Sequence, residues 1–310
     1  KLPPASMLVV DADGSTVRSY WSPPREVDEE AMFHYLSFLT TPAPMTLFKG
    51  IRKLPAGCRM RIDARGVHDA ERYWDAMTAA AGIDDIAPDQ RADAVLHSLR
   101  DAVQLRKLGD VNVGVFLSGG VDSSAIVAMM AGLMNQAVKT CAIGFDLTGY
   151  DETRYARQVA ELYRTDHQTD TVAANDFALV DKMGWLYDEP FADSSAMPTY
   201  RVCEAARRRV TVALSGDGGD ENLAGYRRYR MHLAEERLRS RLPLGLRRAL
   251  FGPLGAVYPK ADWAPRYLRA KTTLQALARD SVAAWFHSVS RTDDAQRDKL
   301  FGASLRRDLA

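Results

Sequence analysis

Two glycine-rich stretches hold the residues best suited to chemistry. The first reads Val115-Phe116-Leu117-Ser118-Gly119-Gly120-Val121-Asp122-Ser123-Ser124, the second Leu214-Ser215-Gly216-Asp217-Gly218-Gly219-Asp220-Glu221. In the first, glycines let the backbone curl until N–H groups face an anion, and the hydroxyls of Ser118, Ser123 and Ser124 add donors. A helix starting directly after the loop adds partial positive charge. That combination suits phosphate. The loop has neither the GK[ST] ending of a Walker A sequence nor the GxGxxG spacing of a dinucleotide site. Asp122 is the informative departure: bare phosphate repels a carboxylate, so Asp122 makes sense chiefly as a ligand for Mg2+ carried by ATP. In the second stretch Asp217, Asp220 and Glu221 place three carboxylates within five positions, which a cation or a proton-transfer role would explain. A calcium loop is the alternative, but the aspartate spacing is not that of an EF-hand.

Both stretches sit where a strand should hand over to a helix. Val111 to Leu117 and Val210 to Leu214 read as short strands, and Ser124 to Leu133 reads as a buried helix. Ahead of them, Asp89 is placed to cap a helix reaching about Leu108, with Ala92, Val95, Leu96, Leu99 and Val103 at helical spacing. Between them the alternation continues. Strands are expected at Ala137 to Phe145 and His167 to Val172, and helices at Asp151 to Tyr163, Asn175 to Leu186 and Pro198 to Arg208. This order implies an α/β fold with a doubly wound parallel sheet, whose ligands bind at the carboxyl edge.

Residues 1–88 differ in character. Two similar passages, Lys1 to Trp21 and Lys53 to Trp74, each carry a turn signal, Asp13-Gly14 and Arg65-Gly66, and each ends in Tyr-Trp. Each reads as a hairpin. Between them Val27 to Thr40 reads as a helix with Met32, Leu36 and Leu39 along one side, stopped by Pro42 and Pro44. Beyond Glu221 the chain is rich in Arg and Leu and reads as helical, continuing past Ala310. The expected division is 1–88, 89–230 and 231–310.

The bulk properties narrow the classes. Lys and Arg number 41 against 40 Asp and Glu, so no basic field argues for nucleic acid. Cys58, Cys141 and Cys203 lie far apart and are odd in number, and the six histidines show no ligand spacing, which argues against a disulfide framework or zinc cluster and for a reducing cytoplasm. The three thiols read as buried and structural. No apolar run suits a membrane span and no export signal is evident. The first residue is Lys, so a processed or excised chain is expected.

SGGVDSS and SGDGGDE, with Ala224-Gly225-Tyr226, resemble the two signature motifs of asparagine synthetases, which belong to the N-type ATP pyrophosphatases. Asp188-Glu189-Pro190-Phe191-Ala192-Asp193-Ser194-Ser195 is similar as well. Thr46 to Pro55, leading to Tyr73-Trp74, resembles the passage closing that family's glutaminase domain. The resemblance covers roughly residues 27 to 230. It implies that Ser118, Gly119, Gly120, Asp122 and Ser123 hold the pyrophosphate portion of ATP and that Asp122 and Asp220 ligate Mg2+. Phe116, Leu117, Ile143 and Gly144 match the adenine-contacting segment, with plain core positions as the alternative for Phe116 and Ile143. Ser215 and Gly216 match contacts to the nucleotide or the activated acyl group. Asp217 stands where better-known members have Glu, a residue suited to receive protons from ammonia.

The implied activity is ATP-dependent adenylation of a carboxylate, aspartate favoured, for attack by ammonia derived from glutamine. The implied partners are a glutaminase domain upstream or on another chain and a second copy in a homodimer, with neither nucleic acid nor membrane. The sequence also departs from the family. It lacks the N-terminal cysteine nucleophile, shows no terminal lysine motif before Ala310, and carries Asp193 and Ser194 where aspartate-specific members have Arg. A PP-loop enzyme with another acid or nucleotide substrate, and a catalytically incomplete nucleotide-binding module, are the alternatives. Arg227, Arg228 and Arg230 could reach phosphate or a carboxylate, or form a solvated face. Tyr226 and Tyr229 could simply pack the second loop.

Overall fold

The computed structural model describes residues 6–11, 14–19, 26–79, 86–107, 109–145, 152–172, 177–260, 263, 265, 269–292 and 294–301. Asp13, Tyr20, Trp21, Leu108, Asp151 and Asn175, named above, lie outside them. The chain divides into two compact units, one formed by residues 1–81, 187–192 and 290–310, the other by 82–186 and 193–289.

In the first unit β1 (Ser6–Asp11) and β2 (Gly14–Ser19) pair antiparallel, so the first expected hairpin forms. The helix α1 (Glu29–Phe38) follows. Asp28 caps it, accepting from the Ala31 N–H at 2.9 Å, and Leu39 ends it in the left-handed region at φ 63°. Its buried residues are Ala31 and Ser37, whereas Met32 is exposed. Leu36 and Leu39 are half-buried, and the inward side also takes Ser37, which accepts from the Arg297 guanidinium at 3.0 Å. The second hairpin is nested: β3 (Cys58–Arg59) pairs with β6 (Glu71–Arg72), and β4 (Ile62–Asp63) with β5 (Gly66–Val67). Gly66 takes φ +118° at the turn, a value glycine tolerates best. A short helix, α2 (Ala76–Ala79), ends this stretch.

The second unit opens with α3 (Arg91–Arg106), whose cap position is Gln90 and makes no side-chain cap hydrogen bond. Asp89 sits in the preceding turn and is not the cap. Next come β7 (Val113–Phe116), α4 (Val121–Leu133), β8 (Lys139–Phe145), α5 (Thr153–Leu162) and β9 (Asp166–Val172). A 3-10 turn (Phe177–Leu179) leads into α6 (Val180–Tyr187), followed by α7 (Ala196–Arg207) and β10 (Val212–Leu214). The remaining helices of the unit are α8 (Gly219–Asn222), α9 (Arg227–Arg239), α10 (Leu244–Val257), α11 (Lys271–Leu277) and α12 (Ser281–Val289). The helical reading beyond Glu221 therefore holds among the described residues. α13 (Asp294–Leu300) belongs to the first unit.

The sheet is four-stranded and parallel, in the order β10-β7-β8-β9. Period-two alternation decides its packing. Val115, Leu117 and Ala142 are buried with Val103 of α3, Ile126, Val127 and Met130 of α4, and Ala156 and Ala160 of α5. On the opposite side Cys141 packs with Ala206 and Val210, with Phe116 and Ala213 against them. Both sides of the sheet are thus covered, which suits strands that read as continuous apolar runs. Gly114 is obligatory here, since a Cβ on it would stand 2.8 Å from the Lys139 carbonyl oxygen. Val210 falls outside β10 because its N–H still donates to Ala206 O at 2.9 Å, at the end of α7.

Candidate functional site

β7 and α4 fix the first loop. Gly119 takes φ +84°, and a Cβ on it would stand 2.5 Å from the Ala156 nitrogen, so only glycine fits against the start of α5. The loop is tied internally. The Ser118 N–H donates to Ser123 Oγ (3.3 Å), the Gly120 N–H donates to Ser118 Oγ (3.2 Å), and the two hydroxyls lie 3.0 Å apart. Ser124 Oγ donates to Gly120 O at 2.6 Å. Its hydroxyl closes the first turn of α4 and is not turned to a ligand as the sequence suggested. Gly120, the cap residue, offers no side chain to the first N–H groups of the 13-residue α4. That end keeps its partial positive charge available.

The second loop packs directly on this helix start. A Cβ on Gly216 would stand 2.7 Å from the Ser123 nitrogen and 2.8 Å from the Asp122 carbonyl carbon. One on Gly219 would stand 2.5 Å from Asp122 Cγ and Oδ1, and one on Gly225 would fall on Asp220 Oδ1. Gly218 holds φ +89° at the start of α8. The glycines therefore serve close approach of two acidic loops. The parallel register behind them, Val212↔Val113 to Leu214↔Val115, delivers both loops to the same carboxyl edge.

Side chains complete the rim. The Asp217 N–H donates to Ser215 Oγ (3.2 Å), and Tyr226 Oη donates to Glu221 Oε1 (2.6 Å). That bond to a carboxylate pushes the Tyr226 phenol up to about 12 and holds Glu221 below its ordinary range. The Arg228 guanidinium lies over the Tyr226 ring, 4.7 Å from its centroid.

Between the loops lies a cavity of about 520 Å³. Phe116, Leu117, Ser118, Gly120, Asp122, Ser123, Ile143, Ser215, Gly216, Asp217 and Asp220, all singled out in the sequence, border it. Gly119 and Gly144 do not: Gly119 backs onto Tyr155 and Ala156, and Gly144 is buried within β8 opposite Thr171. Arg227, Arg228 and Arg230 are exposed and outside the lining, which favours the solvated face. The sequence reading missed Pro198, Thr199 and Val202 of α7 as a wall of the site. It also took Cys141 as core alone. The thiol is 3% exposed yet borders the cavity, and burial pushes its pKa up. Cys203 is exposed, which corrects its reading as buried. Among the described residues no group of three or more His, Cys, Asp or Glu could hold a metal by itself, and no helix is long and apolar enough to cross a membrane.

The family model and two of the three relatives below carry the asparagine synthase or synthetase name. "Putative asparagine synthetase [glutamine-hydrolyzing] 2" of Methanocaldococcus jannaschii is 38% identical over 208 residues, covering 64% of this chain and 39% of that protein. "Asparagine synthetase [glutamine-hydrolyzing] 1" of Bacillus subtilis is 32% identical over 251 residues, 81% of this chain and 38% of that protein. "Amidase chyE" of Penicillium rubens is 28% identical over 214 residues, 62% of this chain and 31% of that protein. The chain thus matches about two fifths or less of these relatives' lengths. The family model described as asparagine synthase matches residues 94–309, a span that contains both glycine loops, α7 and the helices after them. With the motifs, the meeting of the two loops and this match in agreement, the chain belongs to the asparagine synthase family.

Proposed function

We propose that this chain carries the ATP-binding synthetase part of an amide ligase that adenylates a carboxylate, aspartate favoured, for attack by ammonia derived from glutamine. The observation that carries the reading is the closure of the Gly216 and Gly219 backbone onto Asp122 at the start of α4. It joins a phosphate-type helix start to two carboxylates beside one cavity.

ATP and Mg2+ fit these residues. Gly119, Gly216 and Gly219 pack where a Cβ would clash with neighbouring protein atoms, which brings the two loops together, and the cavity of about 520 Å³ falls within the range of small-molecule sites. Asp122 and Asp220 are the residues that would hold Mg2+, which binds through one or two carboxylates when substrate phosphates supply the rest. When bound, the ion neutralises charge on the departing pyrophosphate. The uncapped end of α4 favours phosphate with no protein charge change. Phe116, Leu117 and Ile143 at the strand ends offer an apolar wall for the base, and Ser118, Gly120, Ser123, Ser215 and Gly216 line the path between base and phosphates. In the reaction a substrate carboxylate oxygen attacks the α-phosphorus, pyrophosphate leaves, and ammonia then displaces AMP. Asp217 is exposed and unencumbered by any ion pair among the described residues, and takes the proton that ammonia sheds.

In this reading the sheet is doubly wound in the N-type ATP pyrophosphatase manner. Residues 1–88 are the end of a glutaminase-like domain, 89–230 the synthetase domain and 231–310 a helical extension. Ammonia would come from a glutaminase domain upstream or on another chain, a homodimer is the assembly, and three free cysteines support a cytoplasmic setting. A different acid is the second reading, favoured by the similarity to a protein named as an amidase. The test is pyrophosphate release from ATP and Mg2+ with aspartate and ammonium, comparing this chain with Asp122→Ala. Aspartate-dependent release lost in the variant supports the reading. ATP binding with no release for any carboxylate tried overturns it in favour of a binding module.

A further inference from the structure

Glu221 and Tyr226 border the cavity and are tied to each other by the Tyr226 Oη–Glu221 bond. Glu221 is exposed in the four-residue α8, and Tyr226 precedes α9 with extended backbone (φ −64°, ψ 132°). Their support comes from the far end of the unit. The Tyr226 ring packs on Tyr229, centroids 5.8 Å apart. Tyr229 stacks flat on Trp285 of α12, at 5.5 Å and 7°. Trp285 meets His232 edge to face at 5.3 Å and 80°.

Below this stack lies a hydrogen-bonded base. Arg239 is 5% exposed and donates to His232 Nδ1 at 3.1 Å, to Glu236 at 2.9 Å and to Glu235 at 3.3 Å. His232 Nε2 lies 3.3 Å from Ser281 Oγ, at the start of α12. Burying Arg239 beside Glu235 costs hydration, which their hydrogen bonds offset. At the tip, the backbone of Gly225 lies against Asp220 Oδ1, so a shift of Tyr226 moves its neighbour against a carboxylate of the site.

We propose that Trp285 is a positioning residue for the Glu221–Tyr226 pair and, through it, for Asp220, acting by way of the Tyr229 ring. This rests on the nucleotide reading for its effect on ATP, but its geometric content does not. Trp285 touches neither the cavity nor Asp220, and stacked rings transmit position through contact. Phe at 285 keeps a flat partner for Tyr229, whereas Leu keeps bulk without one.

The experiment uses the full chain labelled with 13Cζ-tyrosine, the Tyr226 signal being identified by its loss in Tyr226→Phe. Wild type, Trp285→Phe and Trp285→Leu are compared by NMR at about pH 10.5, near the ordinary tyrosine range, and by calorimetric titration with ATP and Mg2+. The expected result is a protonated Tyr226 in wild type and Trp285→Phe, and an ionised one in Trp285→Leu. ATP affinity should fall about threefold to tenfold in Trp285→Leu and return in Trp285→Phe. A folded Trp285→Leu chain with Tyr226 still protonated and affinity unchanged overturns the proposal, since a purely structural tryptophan would lower the melting temperature alone. Should Trp285→Leu not fold, Trp285→Met removes the flat ring with less change of bulk and is read identically. Absence of ATP binding in wild type sinks the nucleotide reading, and the Tyr226 signal then decides the positioning role by itself.

Discussion

Gly219 faces Asp122 so closely that a Cβ on the glycine would stand 2.5 Å from both Cγ and Oδ1 of the carboxylate. The contact joins residues 97 positions apart in sequence. A methyl group there must push the carboxylate aside, so Gly219→Ala is expected to weaken Mg2+-dependent ATP binding by about tenfold to a hundredfold. Calorimetric titration at fixed Mg2+ measures this. Unchanged affinity would show that Asp122 does not work from its observed position.

Asp217 gives a different signature. Its assigned part is to take a proton, so Asp217→Asn is expected to leave ATP affinity within about twofold while lowering ammonia-dependent amide formation by about a hundredfold or more. Asp217→Glu, which keeps the acid on a longer side chain, should recover most of the rate. Product formation at saturating ammonium separates the two, and a loss of ATP binding in Asp217→Asn would contradict the assignment.

In the first unit, Glu189 accepts from Thr41 Oγ1 at 2.8 Å and from the Leu47 N–H at 3.1 Å, and pairs with Lys53. Burial pulls its pKa upward, but the Lys53, Thr41 and Leu47 donors outweigh that and hold it below its ordinary value of 4.5. A carboxylate with a depressed folded pKa stabilises the fold above its unfolded pKa. That stability is lost as pH falls through the lower folded value. Urea denaturation should therefore show Glu189→Gln less stable than wild type at pH 7, with the gap closing in acid below about pH 4. A gap independent of pH would assign the loss to packing.

Arg247 is 5% exposed and donates to three carbonyls: Leu242 at 3.0 Å, and Leu277 and Arg279 at 2.6 Å each. Leu277 ends α11, where carbonyls lack helical partners, and Arg279 lies two residues beyond it. Arg247→Met strands them, and a loss of about 3 kcal/mol is expected. Denaturant midpoints test it, and a loss under about 1 kcal/mol would mean that water replaces the guanidinium.

These residues also mark what sequence could and could not reveal. The meeting of Asp122, Gly216 and Asp220 at one place was legible because a glycine loop between a β-branched run and an apolar run has a local physical meaning, whereas Gly119 faces Tyr155 and Ala156 instead of the cavity. The parallel sheet followed from alternation. The wall formed by Pro198, Thr199 and Val202 was not legible, because it depends on α7 covering the side of the sheet that carries Phe116 and Cys141. No local pattern states that. Ser37 was missed for a related reason: its partner Arg297 lies 260 positions away, and a serine on a helix reads locally as solvated. Ser124 failed at shorter range, since its hydroxyl had a carbonyl of its own turn to satisfy.

The Glu189 cluster bears on how the chain can be shortened. Its acid comes from 187–192, a stretch enclosed in sequence by the second unit, while Thr41, Leu47 and Lys53 come from before residue 82. A piece cut at residue 82 would keep the segment 187–192 but lose the N-terminal part of that segment's own unit. It would carry along a carboxylate stripped of its donors, in the segment that leads directly into α7.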